Sequence, residues 1–196
     1  MGRKAGFADQ TVYAAMASGI ADGVMPGIRD ISKASGVSIG SLYHRFGSYE
    51  GLLAETWAWS EGAYLQGVIS HIHNTRGVRG GLRAALYMPR FARRESAAAP
   101  VLVSGQRTVL RHAALAQGTR IRAADILGRA DAALTGFAEG FGLRRDEVEL
   151  ALIEYPRTVV AVQLGADGLD GSADALVRAA FWATISVQQQ QKAKAA

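Results

Sequence analysis

Three stretches of the sequence have residue types and spacings that chemistry uses. Gly36-Val37-Ser38-Ile39-Gly40 has the spacing of a serine nucleophile held on a tight turn. That chemistry needs a strand before the serine and a helix after it, so that the hydroxyl stands exposed on a strained bend. The residues before Ser38 read instead as polar helix, and no sheet is evident. His71-x-His73 offers two imidazoles, but helical residues two apart diverge by about 200° and cannot face one ion. With only four histidines in the chain and no cysteine, no metal site is expected. Gly77-x-x-Gly80-Gly81 lacks both the preceding strand and the following Lys-Ser/Thr of a phosphate loop. No carboxylate pair and no nucleophile–base arrangement stands out. The chain is therefore expected to be no enzyme and to need no cofactor.

The remaining pattern lies around Tyr43-His44-Arg45, whose donors suit phosphate oxygens and base edges. Two short helices flank a glycine turn there: Ile28 to Ser35, then Gly36-Val37, then Ser38 to Phe46. Ile31, Ala34, Val37, Leu42 and Phe46 are placed to pack inward against a first helix, and Ser38 is a natural N-cap. This is the helix-turn-helix order, in which the second helix presents its N-terminal residues to a major groove. Small residues at Gly40 and Ser41 let its backbone approach DNA closely.

The elements around this segment are expected to be helical as well, making an all-α chain. Among 196 residues there are 36 Ala and four Pro, and apolar residues recur at three- and four-residue steps. The first helix ends at Ala21-Asp22-Gly23. Ser48 caps a long helix from Tyr49 to His73, and helical pattern resumes over Val78–Arg94, strained by Pro89. Another start falls at Pro100, and a long helical stretch runs over Gln106–Phe141, either continuous or broken near Gln117-Gly118. Arg145–Ala166 is helical with a kink or break at Pro156; within it the β-branched run Thr158–Val162 could be a buried strand, but no partner strand is evident and helix is expected. A loop follows to Gly171, and Ser172–Gln191 forms the last helix. No run of about 18 apolar residues exists and the N-terminus opens no apolar signal segment, so a cytoplasmic protein without a membrane partner is expected.

The net charge is +5, and 18 of the 22 cations are Arg. It is unevenly spread. Residues 76–122 carry ten Arg against Glu95 alone, whereas 123–174 carry four Arg against ten acids. The two segments should therefore attract, within a chain or across a dimer. The first fifty residues hold five cations and four acids.

The run Asp30-Ile31-Ser32-x-x-Ser35-Gly36-Val37-Ser38-x-Gly40-x-Leu42-Tyr43-x-x-Phe46-x-Ser48-x-Glu50-x-Leu52-Leu53 resembles the N-terminal signature of the tetracycline-repressor (TetR) family. The resemblance implies an N-terminal three-helix DNA-binding domain over residues 1–50 and a C-terminal helical ligand-binding and dimerisation domain over 51–196. It implies a homodimeric regulator, usually a repressor, released from palindromic double-stranded operator DNA by a small-molecule inducer. On that pattern the DNA-binding residues are Gly27, Arg29, Ser38, Ile39, Gly40, Ser41, Tyr43, His44, Arg45 and Tyr49. Pro26-Gly27 stands where relatives commonly have Thr, and Tyr49 where they usually have Lys. Both changes predict a DNA face poor in cations and a modest salt dependence. Arg3 and Lys4 serve either as a compensating arm or as an ordinary solvated terminus.

In this family the pocket lies among the middle helices. Trp57, Tyr64, Tyr87, Phe91 and Phe137 are candidates for its wall, each with plain core packing as the alternative. Arg107 and Arg111, four apart on one helix face, either hold a ligand carboxylate, pair with the acidic segment or are solvated at the surface. The resemblance places the dimer interface in the last two long helices, where Val159, Val162, Leu176, Ala180, Phe181, Thr184 and Ile185 supply an apolar face, with Trp182 as a candidate anchor and an intrachain core as the alternative. The competing function is a helical small-molecule-binding protein or enzyme without operator binding; a DNA-binding architectural protein without a pocket is the third.

Overall fold

Burial of one stripe on each short helix builds the amino-terminal part of the molecule. The computed structural model describes residues 5–104, 115–164 and 169–195. In chain order the helices are α1 (Ala5–Ala21), α2 (Ile28–Ser35), α3 (Ile39–Phe46), α4 (Tyr49–Asn74), α5 (Val78–Ala85), α6 (Tyr87–Arg94), α7 (Ala98–Val103), α8 (Gln117–Phe141), α9 (Arg145–Glu149), α10 (Tyr155–Leu164) and α11 (Ser172–Ala195), with a π-helical turn at Leu150–Glu154. Among the described residues there is no strand, and no helix is long and apolar enough to cross a membrane. The chain forms two compact units, residues 1–62 with 95–124, and residues 63–94 with 125–196.

In the first unit Val12, Tyr13 and Met16 of α1 pack with Ile31 of α2, Leu42 of α3 and Leu52 of α4. Ala17, Trp57 and Val101 make a second cluster linking α1, α4 and α7. A polar centre lies beside them. The Glu55 carboxylate is buried and accepts from the Thr119 hydroxyl at 2.5 Å, the Ala116 N–H at 3.2 Å and the Tyr13 hydroxyl at 3.4 Å. Burial, then the neighbouring Glu55 charge, pushes the Tyr13 phenol above its ordinary value. Three donors offset the cost of taking that carboxylate out of water.

In the second unit α10 and α11 pack together, α10 also against α6 and α11 against α5 and the π turn. Pro156 shapes this region. Proline has no N–H and crowds the carbonyl four residues back. The helix widens just before it, the Tyr155 N–H bonding to the Leu150 carbonyl in a single π turn. The β-branched run Thr158–Val162 is helical, as its lack of a partner strand implied. Pro89 is likewise absorbed, as the third residue of α6, by a break at Leu86 that splits the expected Val78–Arg94 helix in two. Arg93 bridges the basic and acidic segments, pairing with Asp174 at 2.7 Å and donating to the Asp170 carbonyl at 2.8 Å.

Ring packing holds α4 to α6 in this unit. Tyr87 stacks on Tyr64 at 6.0 Å between centroids, meets the His71 edge at 5.2 Å, and lies directly over Gly67. Burial, then Arg90 and Arg83, pushes the His71 imidazole below its ordinary value. A Cβ at Gly67 would overlap the Tyr87 ring. Gly67→Ala should therefore destabilise the protein by about 1–3 kcal/mol despite alanine's better helix propensity. Denaturant unfolding at unchanged helicity is the check.

Candidate nucleic-acid interface

The turn between α2 and α3 is fixed residue by residue. Gly36 ends α2 at φ 70°, ψ 10°, a left-handed conformation that suits a residue without Cβ. The Ser35 hydroxyl donates to the Ile31 carbonyl at 2.6 Å and accepts from the Val37 N–H at 3.3 Å. Ser38 then caps α3, its side chain accepting from the Ser41 N–H at 3.2 Å. At the far end Gly47 takes φ 76° and its N–H bonds to the Tyr43 carbonyl. Ser48 caps α4 through the Gly51 N–H at 3.0 Å.

Between these caps the rotational phase of α3 follows from what it buries. Leu42 is in the core and Phe46 packs on it four residues later. With 100° between successive residues, Gly40, Ser41, Tyr43 and His44 are turned outward and are exposed, Tyr43 by 45%. Ile39 is half-buried. Gly40, Ser41, His44 and Arg45 line a shallow open concavity. A Cβ at Gly40 would meet nothing within 4 Å, so the gap on that side of the helix is open to whatever docks. Arg29 and Lys33 of α2 are exposed as well; Lys33 was not singled out in the sequence. Ala34, expected inside, is exposed. It lies three residues on from the buried Ile31, at the edge of the α2 stripe.

Ser38 and Ser41 bond to each other through their hydroxyls at 2.9 Å, and three further expected contact residues are engaged with groups outside α3. The Gly27 N–H donates to Asp30 Oδ2 at 3.1 Å, so Gly27 caps α2 and Pro26 stands before the helix. Pro26 is buried with its ring against Gly19, where a Cβ would come within 2.6 Å. The Tyr49 hydroxyl donates to the Pro26 carbonyl at 3.0 Å, and burial, then Glu50, pushes its phenol up. Tyr49 thus ties α4 to the entry of α2, where the sequence suggested a phosphate contact. The Arg45 guanidinium pairs with Asp9 of α1. No local signal marks Asp9, which lies 36 residues away from its partner.

The expected ligand residues fall into separate groups. Tyr64, Tyr87 and Phe91 come together in one aromatic cluster, with the Arg157 guanidinium 4.7 Å over Tyr64. Phe137 packs with Phe141 and lies against Gly81. Trp57 belongs to the α1–α7 cluster. Trp57 and Ser60, one turn apart on α4, are both buried. Among the described residues, neither the indole N–H nor the Ser60 hydroxyl has a hydrogen-bond partner. Arg107 and Arg111 lie outside the described residues, as do Arg3 and Lys4. Among the described residues no group of His, Cys, Asp or Glu is arranged to hold a metal ion.

The apolar residues expected at a dimer interface divide between two faces. Val159, Phe181 and Ile185 are buried in the chain's own core, with Ala173 and Val177. The outward apolar residues are Val162 (67% exposed) on α10, and Leu176 and Trp182 on α11.

The Tyr49 hydrogen bond gives a direct test. Tyr49→Phe should cost about 0.5–1.5 kcal/mol of stability and leave the salt dependence of DNA binding unchanged, since no phosphate contact is lost. Thermal unfolding and a salt titration of duplex binding would show both.

Residues 26–56 match the family model described as bacterial regulatory proteins, tetR family. A search of curated proteins finds no match. Among solved structures, the fold is similar to a TetR family transcription regulator from Marinobacter aquaeolei, with a TM-score of 0.66 at 14% identity, over 91% of this chain and 94% of that one. It is also similar to the TetR family transcriptional regulator PfmR from Thermus thermophilus, with a TM-score of 0.54 at 19% identity, over 89% and 97% of the two chains.

Proposed function

For a chain with the fold of the TetR family transcription regulators and that family's N-terminal segment, we propose a ligand-responsive, homodimeric DNA-binding regulator of the cytoplasm, acting as a repressor. Residues 1–50 serve as the DNA-binding domain and 51–196 as the ligand-binding and dimerisation domain. The observation that carries the DNA reading is the outward face of α3. Leu42 and Phe46 hold the helix from behind, while Gly40, Ser41, Tyr43 and His44 are presented to solvent beside an open concavity. Gly40 admits close backbone approach, Ser41 and Tyr43 offer hydroxyls, and His44 offers a ring nitrogen to base edges or phosphates. On this reading the helix end that Ser38 caps is the one turned toward the duplex. Ile39 meets a thymine methyl, and Arg29 a phosphate.

A dimer would place two such helices in successive major grooves of a palindromic operator, about 34–36 Å apart for one turn of duplex. Support for the dimer is the outward apolar face of α10 and α11 at Val162, Leu176 and Trp182. Exposed side chains of that size, set among the small Ala179 and Ala183, suit a second copy packed closely on them. Ligand response is supported by the buried donors of Trp57 and Ser60, which a ligand carrying an acceptor atom would satisfy. Such a ligand shifts the dimer between DNA-binding and released states only by its difference in affinity for the two.

Operator fragments selected from genomic DNA by the purified protein, then footprinted, test the reading. Gly40→Ala should leave the fold intact or stabilise it by up to about 1 kcal/mol, yet weaken operator binding by filling the gap at the docking face. Tyr43→Ala should weaken operator binding about tenfold or more. Equal operator affinity for both variants and the parent, measured by anisotropy, would remove α3 from the interface. Trp182→Glu should convert the dimer to monomer in sedimentation while helicity is kept. A dimer of unchanged stability would place the interface elsewhere.

A further inference from the structure

We propose that Asp9 tunes how strongly this protein holds DNA of any sequence, by engaging the Arg45 guanidinium that a phosphate would otherwise take. The proposal rests on α3 being the DNA-facing helix and concerns the sequence-independent part of binding on that face. Arg45 lies four residues after Ser41, at the rim of the same concavity. With His44 it supplies the basic residues of the last turn of α3. Its guanidinium does not extend from that rim. It turns back to α1, where its Nε pairs with Asp9 Oδ1, the two side chains retaining 28% and 26% of their exposure.

Charge makes this pairing consequential. The first fifty residues carry five cations against four acids, so one guanidinium is a large share of the attraction available to DNA. A phosphate that captures Arg45 gains a charge-assisted contact and releases a counterion. It also leaves the Asp9 carboxylate uncompensated beside the nucleic acid backbone, which is repulsive. Arg45 therefore stays with Asp9, the phosphate contact is not made, and the sequence-independent part of binding is weaker for it. The contacts of Gly40, Ser41 and Tyr43 with bases do not pass through this pair. Asp9 therefore lowers affinity about equally for DNA of any sequence, operator included, and lessens its dependence on salt.

The competing role for the pair is a strut that only fixes α3 to α1, and the variants separate the two. The test uses the full chain and a random-sequence duplex of about 24 base pairs, read by fluorescence anisotropy between about 50 and 200 mM salt. Asp9→Asn should bind this duplex several-fold more tightly at the lowest salt. Its plot of log affinity against log salt should be steeper by about 0.9, the value for one added phosphate contact. Arg45→Gln should leave the parent slope unchanged, and the double variant should return to it. Asp9→Asn that unfolds at the parent temperature but binds equally or more weakly would overturn the proposal. So would an Arg45→Gln slope shallower by about 0.9. If Asp9→Asn melts early, Arg45→Gln alone decides. A parent protein that binds no duplex at the lowest salt would instead sink the DNA reading itself, an outcome distinct from a parent that binds and variants that do not differ.

Discussion

The rotational phase of α3 is the constraint on which the rest of the amino-terminal unit depends. A helix of eight residues has little stability of its own, because nucleation uses up most of what its hydrogen bonds return. It persists here because Ser38 satisfies its first turn, Gly47 closes its last, and Leu42 with Phe46 is buried behind it. The same burial determines which side chains face out. A one-residue slip would turn every side chain of α3 by 100°, exposing Leu42 and burying Tyr43. Recognition by this helix is thus set by hydrophobic packing on its opposite side.

Helix α1 is the part that enforces this phase, and it does so with several kinds of interaction. Val12 and Met16 supply apolar surface. Gly19 lets the Pro26 ring lie against the backbone, which fixes the entry to α2. Tyr13 packs its ring against Phe46 at 6.0 Å and Trp59 at 5.9 Å while its hydroxyl reaches Glu55. Glu55 in turn holds the start of α8 through Thr119 and Ala116. A buried carboxylate of this kind is stable only while its donors remain in place. It thereby ties the positions of α1, α4 and the N-terminus of α8 to one another within this unit.

Local chemistry was legible in the sequence, and pairings across sequence distance were not. Gly36, Ser38 and Ser48 act through backbone groups within three residues, so their roles could be read from residue type and spacing alone. The helical state of Thr158–Val162 could be read as well, since a strand there would have had no partner. The Asp9–Arg45 and Glu55–Thr119 interactions join residues 36 and 64 apart, and nothing near either member announces them. Pro26 and Tyr49 were legible as departures from a family pattern. That they contact each other was not, because a missing hydroxyl and a lost charge do not reveal a new hydrogen bond. The last helix shows a further limit. Phe181 and Trp182 are adjacent and both large and apolar, yet one is buried and the other exposed. Small alanines around both blur the stripe that would have told them apart, so the expected interface mixed the two faces.

The central claim is that the outward side of α3 touches DNA, and the absence of cysteine from the chain allows a direct measurement. A photoactivatable crosslinker is attached to a single introduced cysteine, at Ser41→Cys in one protein and at the exposed Glu139→Cys of α8 in another. Each is irradiated with the selected operator duplex. The account predicts a crosslink to DNA from position 41 and none from position 139. DNA binding with no crosslink from position 41, or with a crosslink from position 139 alone, would contradict it.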